Sequence, residues 1–329
     1  MSTFATPKAV RGGQERGDRN FRVLIILPAV SLIGLLMAYP MGYAVYLSLV
    51  RWNDKISPDH PFVGLDNYKQ LIEDDEFRSA LMTTLYISGP TVVLGVGLAL
   101  GFALLLNRPF WGRTAGRVIL LVPWAIPPVV AGIIWKLIFA GSGGAANFIA
   151  RGLGLTDHNI QFLASSTSAI VILILVEVWK WTPFLALLFI AALQNVPGNL
   201  YKAALIDGAG PWKTFWRVTL PNIRGTLMFA VIIQSLFSIK VFDTIYILSG
   251  GSGGPAGSTT TINFLAYLVS FSRLERGYGA AMAISILILV LLVAGLWILL
   301  FSIPGRRPGA KAMRSARIGS HSHSGRDLA

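Results

Sequence analysis

The sequence predicts an all-α fold that crosses a membrane six times, and two observations carry that expectation. Hydrophobic residues make up 54% of the 329 residues and charged residues only 13%. That charged share is about half that of an ordinary soluble domain. Six stretches with few or no charges fall at 23–50, 79–107, 118–139, 169–193, 227–248 and 279–303. Each reaches the ~20 residues that a helix, rising about 1.5 Å per residue, needs to cross a ~30 Å hydrocarbon core.

In lipid every backbone N–H and C=O needs an internal partner. A helix supplies one and an isolated strand does not, so the six stretches are read as helices. The first follows Arg16, Arg19 and Arg22 and so resembles a secretory signal. Its apolar run is far longer than a signal core of roughly 7–15 residues, and no small-residue cleavage site follows, so it is kept in the mature protein. Between the first two stretches, Gly64–Tyr68 reads as a turn into a short amphipathic helix that ends in the acidic run Glu73–Glu76.

An even number of spans puts both termini on one side. With the termini cytoplasmic, the inner segments 1–22, 107–117, 194–226 and 304–329 carry 18 Lys and Arg. The outer segments 51–78, 140–168 and 249–278 carry 7, and Lys136, Lys180 and Lys240 lie within spans. The excess puts both ends inside. The domains expected are a basic cytoplasmic tail (1–22), a six-helix membrane domain (23–303) with a large inner loop (194–226), and a disordered basic tail (304–329). Because the basic residues are spread over loops rather than gathered on one face, the net charge of +13 marks topology and not nucleic-acid binding.

Several chemistries are excluded. Cysteine is absent, which removes disulfides, Cys-ligated metals and a thiol nucleophile. His60, His158, His321 and His323 all lie outside the spans, so an intramembrane Ser–His pair is ruled out. His321 and His323 sit in the polar tail and are not read as a metal site. The glycines at 250–254 lack the Gly-Lys-Ser/Thr of a phosphate-binding loop, and no Walker motif occurs elsewhere, so the chain cannot hydrolyse ATP. No catalytic residue and no metal ligand is expected.

The inner loop from Asn199 to Pro221 reads as two short helices with a break. Asn199 is expected to cap the first, Gly208 to end it in a left-handed conformation, and Pro211 to open the second. Tyr201, Ala204 and Leu205 share a face of the first; Trp212, Phe215, Trp216, Thr219 and Leu220 recur at helical spacing on the second. Residue chemistry leaves two readings open. One is an amphipathic segment on the inner leaflet with Lys213 and Arg217 toward phosphate. The other is a helix that docks in a partner's groove.

Ala203-Ala204, Asp207-Gly208-Ala209, Phe215, Val218 and Leu220-Pro221 resemble the coupling loop of binding-protein-dependent ABC importer permeases. That family writes it as Glu-Ala-Ala, three residues, Gly, and later a hydrophobic residue, any residue, Leu-Pro. Other segments are similar to the carbohydrate-uptake branch, the maltose-type and glycerol-phosphate-type permeases. These are Tyr39-Pro40 with Ser48; Phe62-Val63-Gly64-Leu65 with Asn67-Tyr68; Val178-Trp179-Lys180 with Pro183-Phe184; Val241-Phe242-Asp243; and Tyr278-Gly279 with Ala281. Together they cover residues 20–305.

The resemblance implies the type I ABC importer permease fold in a bacterial inner membrane, moving a sugar or sugar-like solute inward by alternating access. It implies two ATPase subunits, a second related permease and an extracytoplasmic solute-binding protein as partners. ATP and Mg would sit on the ATPases, with no cofactor on this chain. One position departs: the acidic residue at the head of the family's loop is Lys202 here, so that ion pair cannot form as in relatives.

Glu177, Lys180, Lys240, Asp243 and Lys136 lie in or near the spans. An unpaired charge there costs at least ~2.5–3.5 kcal/mol on insertion scales, so pairing of opposite charges between the fourth and fifth helices is expected. Two roles are open for Glu177, Lys180, Lys240 and Asp243: an ion pair that fixes helix register, or a polar lining for the solute path. Trp179, Trp181 and Phe184 add flat faces for a sugar ring. The same charges also suit an ion-coupled secondary transporter, from which the Asp207-Gly208 loop separates this chain.

Overall fold

The computed structural model describes residues 12–55 and 59–302. Residues 1–11 of the first tail and all of the tail from 304 lie outside the described residues. Among the described residues the chain is helical, with a single isolated bridge between Val50 and Phe62.

Among the described residues, four helices are long and apolar enough to cross a membrane: α1 (Leu24–Ser48), α3 (Asp75–Asn107), α7 (Ser166–Gln194) and α13 (Arg276–Ser302). Two bent pairs bring the number to six if each pair is one span: α4 (Arg113–Ala125) with α5 (Pro128–Ile138), bent by 95°, and α9 (Pro211–Asn222) with α10 (Arg224–Ile239), bent by 73°. Shorter helices are α2 (Asp66–Glu73), α6 (Ala145–Gly152), α8 (Gly198–Ile206), α11 (Asp243–Ser249) and α12 (Ile262–Ser272).

Two expected spans are therefore not continuous helices. The stretch 118–139 breaks at Ile126-Pro127-Pro128, where Ile126 is extended (φ −73°, ψ 130°). A residue before proline is pushed out of the helical region, and proline brings no N–H to the next turn. The stretch 227–248 stops at Ile239 and resumes at Asp243, with Phe242 at φ −140°.

The chain divides into two compact units, Met1–Ser79 with Leu265–Leu287, and Ala80–Phe264 with Ile288–Ala329. In the first, α1 keeps large apolar side chains such as Leu24 and Leu35 exposed, a surface suited to lipid and not to water. Beyond Ser48 the backbone folds onto α2. Buried Asn67 donates through Nδ2 to the carbonyls of Ser48 (2.9 Å) and Val50 (3.0 Å), and the Tyr68 hydroxyl meets Ser48 Oγ at 2.7 Å. Gly277 lets this segment close, because a β-carbon there would lie 2.1 Å from the Val50 carbonyl oxygen.

Ion pairs complete this cap: Arg273 is bidentate to Glu76 (2.6 Å), and Arg276 Nε reaches Asp54 at 2.7 Å. The indole N–H of Trp52 beside Asp54, and then Arg276, hold that carboxyl below its usual range. Ser48, Asn67 and Tyr68, which carry part of the family resemblance, are among the residues that build this cap.

The second unit has a core in which Val92, Val96 and Ala99 of α3, Leu185, Ala186 and Phe189 of α7, and Ala230 and Val231 of α10 interlock. On α5, Gly132 gives close access to Ile247 of α11, and Lys136 Nζ donates to the Ile247 carbonyl at 2.9 Å.

Candidate functional site

The inner loop has the two-helix form expected of it. Gly208 sits at φ +66°, where only glycine fits without strain. Its N–H donates to Leu205 O (3.1 Å), and Ala209 N–H donates to Ala204 O (2.9 Å). These two bonds are the paired closure of a Schellman motif, which satisfies carbonyls left open at a helix end. Gly210 stands at the N-cap of α9 with Pro211 at its first position. The expected cap by Asn199 is not found. Pro197 holds the cap position at φ −59°, ψ 125° and starts α8 by its own fixed geometry, leaving Asn199 inside the first turn.

The two helices are tied by Tyr201 OH to Thr219 Oγ1 (3.3 Å) and by Thr214 Oγ1 to Ala209 O (3.3 Å). Ala204 and Thr219 are buried between them, and Ala209, Phe215 and Leu220 are half-buried. Ala203, Asp207, Gly208 and Pro221 are exposed, as is Lys202. The free edge is apolar: Leu205 is 76% exposed, Ile206 86% and Trp212 74%. A recess of about 650 Å³ opens beside it, walled by Leu104, Tyr201, Leu205, Trp212 and Phe215 with Arg108 at its side. Among the described residues no ion pair engages Asp207, Lys202, Lys213 or Arg217.

The membrane charges do not pair as expected. Glu177 and Lys180 are each 3% exposed, and Lys240 and Asp243 are exposed. Among the described residues no salt bridge joins α7 to the 240–243 segment. Glu177 instead accepts from Thr244 Oγ1 (2.6 Å) and Trp181 Nε1 (3.1 Å), and Lys180 Nζ donates to Ile126 O (2.5 Å).

The physical reason lies in the two helix breaks. Each break frees backbone groups that lipid cannot satisfy, and polar side chains are drawn to them. Lys180 caps the carbonyl end of α4 at the Pro127-Pro128 bend, while Glu177 meets the first turn of α11 through the side chain of Thr244 and takes no freed backbone group. The second break is braced again by Asn263 Nδ2 to Lys240 O (2.9 Å) and Thr261 Oγ1 to Val241 O (3.4 Å).

Each aromatic candidate is engaged with another aromatic ring outside the candidate set. Trp181 stacks on Phe237 with centroids 3.9 Å apart, Trp179 meets Trp135 edge-on at 5.6 Å, and Phe184 stacks on Trp124 at 5.6 Å. α7 thus brings Glu177, Lys180 and Trp181 together, whereas Lys240 and Asp243 flank the interruption with exposed side chains. Thr244, Ile126 and Asn263 escaped the sequence reading. Pro127-Pro128 was a local signal for the first break; the second has none.

Residues 92–304 match the family described as binding-protein-dependent transport system inner membrane component. The trehalose/maltose transport system permease protein MalF of Thermococcus litoralis is 39% identical over 272 residues, covering 82% of this chain and 89% of that protein. The trehalose transport system permease protein SugA of Mycobacterium tuberculosis is 33% identical over 310 residues, covering 93% and 97%. A bacterial ABC transporter involved in the import of the acidic polysaccharide alginate has a crystal structure that superimposes with a TM-score of 0.74. The identity is 22%, over 88% of this chain and 97% of that one, and the likeness is one of fold.

Proposed function

The chain belongs to the binding-protein-dependent transport system inner membrane components, the permease subunits of ABC importers, and from that premise we propose how it works and what it carries. The solute is a sugar or sugar-like polyol. This follows the relatives' own descriptions: trehalose/maltose, trehalose, and, for the UgpA permease of Yersinia pestis at 31% identity over 285 residues, sn-glycerol-3-phosphate. No relative named here supports an ion-coupled route.

The observation that carries the mechanism is the Gly208 turn, which closes α8 by backbone bonds and leaves Leu205, Ile206 and Trp212 bare beside it. An apolar helix edge of this kind inserts into a groove on a partner. That partner is the ATPase, present in two copies, with ATP and Mg bound there and no cofactor on this chain. A second related permease and an extracytoplasmic solute-binding protein complete the importer, and both termini of this chain face the cytoplasm.

Closure of the ATPases on ATP moves α8 and α9 as one body, tied by Tyr201 and Thr219. The motion passes through the bend into α10, and from α10 to α7 through the stack of Phe237 on Trp181. The cavity then changes its open side. Lys240 and Asp243 face the solute path, while Glu177 and Lys180 hold the interrupted helices beside it. Trp179 and Trp181 support that wall through their aromatic partners.

The test is ATP hydrolysis by the purified complex, with trehalose, maltose and glycerol-3-phosphate each delivered by the cognate binding protein. Stimulation by one sugar supports the reading. Stimulation by none of them, with amino acids active instead, refutes the sugar assignment.

A further inference from the structure

Lys202 leaves α8 from the outermost line of its docking edge. The helix turns by about 100° per residue, and Ala204 is the residue it buries toward α9. Lys202 comes two residues before Ala204 and Ile206 two residues after it. Both therefore point almost directly away from the buried side, about 40° apart around the axis and one turn apart along it. Lys202 is exposed, as are Leu205 and Ile206 beside it. A cation thus shares the ridge with the apolar side chains that a partner's groove would take in.

No acid of the loop stands on that ridge. Segment 194–226 holds Lys202, Lys213, Arg217 and Arg224 against one acidic residue, Asp207. Asp207 follows Lys202 by five residues and so lies about 140° round the helix from it. There it lines a recess of about 320 Å³ with Lys213 and Arg217, of which Lys202 is not a wall. Among the described residues no ion pair engages Lys202.

A lysine at the rim of an interface can turn its head back to water, whereas one on the ridge is carried in with its neighbours. A cation taken out of water without a counter-charge opposes association, and a carboxylate across the interface offsets that cost. We propose that the groove of the ATPase presents a carboxylate to Lys202 and that this pair selects the ATPase. The pairing rests on the docking of α8 in that subunit and adds the chemistry of the receiving surface. An ATPase whose groove complements the acidic residue of the family's loop would meet Lys202 with the wrong sign. The chain accordingly accepts its own ATPase and rejects one built for a permease with an acid at this position.

Exchange of the side chain at 202 in the full importer tests the pairing, read as the Kd of the ATPase for the reconstituted permease and as solute-stimulated ATP hydrolysis. Lys202 is exposed and without an ion pair, so membrane levels of the variants stay at the wild-type value. Lys202→Arg keeps the charge and binds within about threefold of wild type. Lys202→Gln weakens binding by about thirtyfold or more, as a desolvated charge pair loses one member. Lys202→Glu binds about tenfold more weakly again, because like charges then face each other. When the acidic residues of the ATPase are changed to lysine in turn, one such change restores binding to Lys202→Glu. The pairing is overturned if Lys202→Glu binds as well as Lys202→Gln or better, if Lys202→Gln equals wild type, or if no change in the ATPase restores Lys202→Glu. Loss of the ATPase in Gly208→Val with every Lys202 variant unaffected overturns the pairing alone. A Gly208→Val permease that holds the ATPase like wild type removes the docking of this loop, and the pairing with it.

Discussion

Gly208→Val isolates the inner loop from the rest of the protein. Gly208 lies at φ +66°, and a β-carbon built there meets nothing within 4 Å, so a substitution clashes with no neighbour and its whole effect is on the backbone. Holding an L-residue in the left-handed region costs about 1–2 kcal/mol, with β-branched residues at the upper end and asparagine at the lower. A penalty of that size shifts the turn's local equilibrium by roughly 5–30-fold, away from the form in which Gly208 and Ala209 bond back to Leu205 and Ala204. The exposed Leu205–Trp212 edge is then misplaced, while the spans, which make none of these bonds, still insert. The assay compares membrane levels, co-purification of the ATPase and solute-stimulated ATP hydrolysis for Gly208→Asn, Gly208→Ala and Gly208→Val. Membrane levels should be equal, and coupling should fall in the order Asn, Ala, Val. Wild-type coupling in Gly208→Val, or an order that ignores backbone cost, would refute the reasoning.

Three further outcomes are expected. Glu177→Ala strands the donors of Thr244 and Trp181 inside the second unit and should lower stability by about 1–3 kcal/mol for each buried group left unpaired, more than Thr244→Val; equal unfolding midpoints for wild type and Glu177→Ala would contradict this. Gly277→Ala drives a methyl group to 2.1 Å from the Val50 carbonyl and should open the outer cap, seen as faster proteolysis of segment 49–65 from the outside, with unchanged cleavage as the contrary result. The excess of Lys and Arg in the inner segments predicts a cytoplasmic C-terminus, so a reporter that works only in the extracytoplasmic space should be silent when fused after Ala329, and its activity there would reverse the topology.

What could be read from the sequence was local in origin. Span positions follow from apolar runs, because lipid forces each segment to satisfy its own backbone. Gly208 and Pro211 were legible for the same reason: a left-handed residue and a first-turn proline are properties of one position. Asn199 was misread because two caps competed within three residues, and Pro197 needs no side-chain bond to begin a helix.

The losses were long-range. The 240–242 break is held by Asn263, Thr261 and the contact of Thr244 with Glu177, none of which marks the segment itself. The expectation that opposite charges would find each other overlooked the Ile126 carbonyl freed at the bend, which holds Lys180, and the Thr244 hydroxyl and Trp181 indole, which hold Glu177. The pairing of Asp54 with Arg276 joins residues 222 positions apart and left no trace in either segment.

The most direct test of the account is uptake of labelled sugar into proteoliposomes holding the complete importer, with the binding protein outside and ATP inside. Uptake that requires ATP, persists when ionophores collapse every ion gradient and is lost with Gly208→Val is the predicted result. Uptake that needs no ATP and stops with the ionophores would contradict it.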